Sequence, residues 1–166
     1  MNEIRKPYAV IALGNPLLCD DSAALLAVEL LGEGSRTTMT EFVVNYSGGM
    51  DLLPELADRE RVLVLDAVPD PDSEPGDLVE YHLTDLDRTC QPRLVDTHGL
   101  NLATVVRTGQ DLGYAMPRRL EILGIVGRDF TTFRESPNPE ILVRMPSIVG
   151  RLERTLLSWE REHGQG

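Results

Sequence analysis

This chain of 166 residues is short of cysteine, aromatic side chains, basic residues and long apolar runs, and each shortage removes a class of function. Its two cysteines, Cys19 and Cys90, lack CxxC spacing and make at most one bridge. A disulfide scaffold and a cysteine-ligated zinc site therefore drop out, and a reducing cytoplasm is the expected compartment. With 16 basic against 27 acidic side chains the net charge is −11, opposite in sign to the basic face of nucleic-acid binders. The same charge disfavours an anionic membrane. Apolar stretches break well before the roughly 20 residues of a spanning helix, and MNEIRKPYAV has no apolar leader core, so no membrane insertion is expected. Aromatics at 5% leave little for stacking on sugars, which disfavours glycosidase chemistry by paired acids. Absent too are a GxSxG elbow, a Walker loop and a GxGxxG fingerprint in the first loop.

What is present reads as one α/β domain over residues 1–166, long enough to bury its own core. An apolar run from Tyr8 to Leu13 suits a strand covered on both faces, expected at the centre of the sheet. It breaks at Gly14-Asn15-Pro16, passes the acids Asp20-Asp21, and continues as a helix from Ser22 to Leu31, closed by Gly32 and Gly34. EFVVNY (41–46) is a second strand. Ser47-Gly48-Gly49 turns into a helix, MDLLPELADRE, with Leu52, Leu53 and Leu56 inward and Pro54 in its first turn. RVLVLDAV (61–68) is a third strand ending in Asp66. PDPDSEPG is a loop, and LVEYHL alternates as an antiparallel edge strand does. After an irregular stretch, Asp96-Thr97-His98-Gly99 leads into a helix with Leu100, Ala103, Val106 and Leu112 inward. RLEILGIV (119–126) is the last strand, and a final helix from about Pro146 buries Ile148, Leu152, Thr155, Leu156 and Trp159. The sum is a three-layer α/β fold: a mostly parallel five-stranded sheet with one antiparallel edge strand.

In open parallel sheets ligands lie beyond the carboxyl ends of the strands. This topology brings three groups there: Asp21 after the first strand, Asp66 after the third, and His98 at a helix start. Two carboxylates and an imidazole suit nickel, zinc, manganese or iron with open positions, and a helix N-terminus favours the neutral, ligating imidazole. Structural readings stand beside this one. Asp20 or Asp21 can cap the following helix, Asp66 can bind loop amides, and His98, like His82 and His163, can be structural or exposed. The aspartates can also serve as an acid and base pair in close contact, which leaves the histidine without a role. Cys19, beside acids that oppose thiolate formation, reads as a small filler.

The motifs GNPLLCDD, SGGMDLL, VLDAV, THGLNL and MPSIV, in this order over nearly the whole chain, resemble those of the maturation endopeptidases of nickel-iron hydrogenases. The resemblance implies a phosphorylase or hydrolase-like α/β fold. It also implies removal of a C-terminal extension from the hydrogenase large-subunit precursor after nickel insertion, by a cytoplasmic and monomeric protein. Carried over by position, the metal contacts and catalytic groups are Asp21, Asp66 and His98. The nickel belongs to the substrate precursor, another divalent ion being possible, and either the ion or a carboxylate activates the attack, as in a metal-linked or an aspartic-type protease. Two rivals remain: a non-catalytic precursor-binding chaperone, and peptidyl-tRNA hydrolase, which shares the opening GNP but expects a nearby histidine and a basic face. Ser22-Ala23-Ala24 departs from the family's Gly-hydrophobic-Gly, which sets the helix slightly outward.

Overall fold

The computed structural model describes residues 5–83 and 102–164. Five strands, β1 (Tyr8–Leu13), β2 (Thr40–Asn45), β3 (Arg61–Pro69), β4 (Leu78–Tyr81) and β5 (Arg119–Gly127), form one sheet in the order β2-β1-β3-β5-β4. All neighbours are parallel except β4, which runs antiparallel to β5. The central strand is β3 rather than β1. Both β1 and β3 are continuous apolar runs because both are covered on two faces, so composition alone does not tell the middle strand from its neighbour.

Strand alternation divides the core. Tyr8, Val10, Ala12, Leu63 and Leu65 face the long helices α1 (Ala23–Gly34) and α4 (Pro139–His163). Ala9, Ile11, Val62 and Val64 face the short α2 (Leu53–Leu56) and α3 (Leu102–Asp111). Ala23 and Ala24 at the start of α1 are fully buried.

Helix boundaries differ from the sequence expectation in four places. Gly32 and Gly34 lie inside α1 without left-handed angles, and the helix closes through Ser35 N–H donating to the Leu31 carbonyl at 2.8 Å. The second helix stops at Leu56 because Ala57 is extended and Asp58 is left-handed. That turn delivers the buried Arg59 to the Lys6 carbonyl at 2.6 Å and to Glu41 at 2.5 Å. Leu112 falls beyond α3 and is exposed. The last helix starts seven residues before Pro146, at Pro139 with Asn138 as its cap. Proline favours the first turn of a helix, and Pro139 fits that rule. Pro146 lies on the exposed side of the helix, as does Leu142, whose carbonyl it cannot serve. The earlier start adds Ile141 and Met145 to the buried stripe, while Thr155 is only half-buried.

The amino edge of the sheet is tied by aromatics. Trp159 packs edge-on against Tyr8 at 5.7 Å, and the Tyr8 hydroxyl donates to the Trp159 carbonyl at 3.2 Å. Next to it, Glu160 accepts the backbone N–H groups of Thr38 and Met39 at 2.9 and 2.7 Å, fixing the entry to β2.

Candidate functional site

The site is built where β1 runs out. After Leu13 the chain tightens around Asn15, whose side-chain oxygen accepts the Leu17 N–H at 3.0 Å while its carbonyl accepts that of Leu18 at 3.2 Å. It then makes one 3-10 turn, Cys19–Ser22, before entering α1. Gly14 makes this compact path possible. Its φ is +153°, and a Cβ there would lie 2.2 Å from the Asp21 carbonyl oxygen, a distance no side chain tolerates. The loop folds back so that the Asn15 N–H donates to the Asp21 carboxylate at 3.0 Å. Asp21 is 1% exposed.

Asp66 arrives from the neighbouring strand. Ala12 pairs with Leu65, so Asp66 stands one residue further toward the carboxyl edge. By alternation it faces the same side as Val62 and Val64. It is 2% exposed, and its carboxylate accepts the Ala67 N–H at 2.8 Å. Burial pushes its carboxyl up, the Ala67 amide opposes this, and the charge of Asp21 adds to it, leaving a pKa of about 8. Asp66 and Asp21 therefore feel one another, and the repulsion between two like charges in a low dielectric works against ionising Asp66. Asp66 also pushes Tyr81 of β4 upward, after burial and the charge of Asp70.

Asp20 points elsewhere and does something different. It caps no helix: its carboxylate accepts the backbone N–H groups of Arg128, Asp129 and Asn138 at 2.8, 2.9 and 2.8 Å, and the Asn138 side-chain amide at 3.0 Å. Burial opposes ionisation, but the three amides and the Asn138 side chain outweigh it and hold the carboxyl below its usual range. The clamp is reinforced by Cys19 N–H to Thr132 O at 3.1 Å, Asp20 N–H to Asp129 O at 2.9 Å, and Arg134 N–H to Leu17 O at 3.0 Å. The turn carrying Asp21 is thus zipped along its outer side to the loop between β5 and α4. Gly127 permits the approach, since a Cβ there would lie 2.8 Å from Asp20 Cβ.

Cys19 is buried and free, with the Arg134 guanidinium donating to its sulfur at 2.7 Å. Burial, then the Asp20 carboxylate, pushes its thiol up against the pull of Arg134. It is a filler in the clamp.

Of the three expected groups, the structure brings Asp21 and Asp66 together. His98, with the whole Asp96–Gly99 motif, lies outside the described residues. Among the described residues no three or more histidine, cysteine, aspartate or glutamate side chains group as a metal cage. Carboxylate oxygen is the donor type that divalent ions take, and the charge of a cation would offset the repulsion that raises Asp66. His82 is exposed, and His163 lies 3.3 Å from Glu60. Sequence reading missed the clamp residues Asn138, Arg134 and Gly127. The one available signal was Asn138-Pro139, a cap-and-first-turn pair that marks the helix start.

Residues 42–154 match the hydrogenase maturation protease family. The hydrogenase 2 maturation protease of Escherichia coli (strain K12) is 26% identical over 120 residues, covering 70% of this chain and 71% of that protein. The fold superposes on the hydrogenase maturating endopeptidase HybD from E. coli with a TM-score of 0.74 at 22% identity, covering 95% of this chain and 93% of that one. It superposes on the [NiFe] hydrogenase maturation protease HybD from Thermococcus kodakarensis with a TM-score of 0.67 at 19% identity, covering 90% and 98%.

Proposed function

Since the chain belongs to the hydrogenase maturation protease family, we propose that it is a cytoplasmic, monomeric endopeptidase that removes the C-terminal extension of a nickel-loaded [NiFe] hydrogenase large-subunit precursor. The observation that carries this reading is the Asp21 and Asp66 pair at the carboxyl edge of β1 and β3, one acid held by the Asn15 amide and the other buried, with its carboxyl pushed up to about 8. The nickel is part of the substrate. Asp21 and Asp66 contact it through oxygen, and His98 is the third contact that the motif implies.

A precursor without nickel offers no charge to offset two adjacent carboxylates, so Asp66 keeps its proton and the pair stays a poor ligand. A precursor with nickel favours release of that proton. The protease thereby distinguishes a loaded substrate from an empty one by electrostatics. At the cut itself, the ion polarises the scissile carbonyl. A carboxylate beside it is within its chemistry to accept the proton of the attacking water and return one to the leaving amine. Asn15 and Gly14 hold Asp21 in place, and the Asp20 clamp keeps the turn from recoiling when the ion arrives.

The experiment replaces Asp21 and Asp66 by Asn and His98 by Ala, one at a time, and follows processing of the nickel-loaded precursor. Loss of cleavage in each variant, with the fold retained, is expected. Full processing by all three overturns the reading, and a chain that binds the precursor but leaves it uncut supports the chaperone instead.

A further inference from the structure

Among the described residues the sheet has one open parallel edge, and it leads to the site. β2 is the terminal strand, paired with β1 on one side and with no strand on the other among the described residues. Natural edge strands are usually guarded by lysine, proline or an unpaired charge. TEFVVN has none of these, because its single charge, Glu41, is already engaged by Arg59 at 2.5 Å. Beside this edge lies a groove of about 430 Å³ between β2 and α1. Phe42, Val44 and Tyr46, two residues apart, line one wall, and Leu25 lines the other. Tyr46 is 62% and Val44 39% exposed.

The groove is continuous with the reaction loop. Pro16 forms part of it, next to Asn15, whose N–H holds Asp21. Leu25 reaches the same loop: its Cγ lies 3.4 Å from where a Gly14 Cβ would stand. One charged side chain lines the groove, Glu29, which makes no ion pair among the described residues. A second copy of this chain is a poor occupant, as it brings another net charge of −11. An extended segment with apolar side chains at alternate positions and one basic residue fits all three features: the open edge, the apolar wall and the lone carboxylate.

We propose that the groove beside β2 docks the segment of the precursor around its cleaved C-terminus as an added strand, with apolar side chains against Val44 and Tyr46 and a basic one toward Glu29. This inference rests on the processing reading above. It makes the edge strand the substrate-binding part of the enzyme, distinct from the acid pair that handles the ion.

Two measurements test it. In the first, Tyr46→Ala, Val44→Thr and Glu29→Lys are assayed for cleavage of a nickel-loaded large-subunit precursor. KM is expected to rise about tenfold in each, with kcat within about twofold of the unsubstituted chain. Unchanged KM in all three overturns the docking while leaving the protease reading intact. In the second, the isotopically labelled chain is titrated with a synthetic peptide of the precursor's C-terminal extension and the residues before it, without nickel. Amide shifts along residues 40–46 support the proposal, and shifts confined elsewhere, or none, overturn it. Should the unsubstituted chain cut no precursor, the processing reading fails, and the titration still decides whether the groove takes a peptide.

Discussion

Replacing Asp66 by Asn should make the protein more stable and less active at once. In the folded chain the Asp66 carboxyl has a pKa of about 8, against 3.8 for the free side chain. Because the folded value is raised, the stability the acid contributes is whole below about pH 4. It is lost as pH rises toward 8: over that window the unfolded chain has released a proton that the folded chain retains. The slope is about 1.4 kcal/mol per pH unit. Ionising the unfolded side chain thus costs the native state on the order of 4 kcal/mol at pH 7, a large part of the 5–15 kcal/mol typical of a domain. Asparagine keeps the acceptor for the Ala67 N–H and has no proton to lose. Urea unfolding of both proteins with a chelator present, at pH 5.5, 7 and 8.5, should show the variant ahead by roughly 2 kcal/mol at the lowest pH and by more at each step upward. Precursor processing should be lost throughout. A variant that is no more stable at pH 7, or a stability gap that does not change with pH, would refute the account of Asp66 as a buried acid stabilised by its proton.

Three further outcomes follow from the clamp and the core. Asp20→Ala strands three backbone N–H donors and should cost about 3–5 kcal/mol in urea unfolding; since the folded pKa of Asp20 is depressed, the parent should lose this stabilisation as pH falls through the acid range, and the variant should not. Trp159→Ala removes the buried anchor against Tyr8 and should cost about 3–5 kcal/mol, lowering the melting temperature by about 10 °C in calorimetry. In a Cys90→Ser background, Cys19 should resist alkylation in the native protein and react at once in urea, because its thiol is buried and raised; fast native labelling would contradict its place inside the clamp.

The strands were legible in the chain because each carries its own signal: VLVLDAV cannot be satisfied at a surface, and LVEY alternates as an edge strand must. Order within the sheet was harder to read. β1 and β3 have equivalent compositions, and only long-range pairing distinguishes the second strand from the third. Asp21 and Asp66 were legible as strand-end acids, but the division of labour between Asp20 and Asp21 was not. It depends on backbone amides more than 100 positions away, in the loop 128–138, and adjacent identical residues give no local clue to which one they meet. The start of α4 was misjudged for a related reason. In the sequence Pro146 reads as the start of the last helix, whereas Asn138-Pro139 is the boundary, and the cap's side chain serves Asp20 and Arg134 rather than its own helix.

That arrangement gives α4 a constraint on its length. Its first turn is wired to the turn carrying Asp20 and Asp21 through Asn138, and its last holds Tyr8 and the entry to β2 through Trp159 and Glu160. Deleting one residue between these ends would swing one set of anchors about 100° around the axis relative to the other. Gaps and insertions here should be tolerated only in near-whole turns, so this helix acts as a gauge that sets the spacing between the two ends of the sheet.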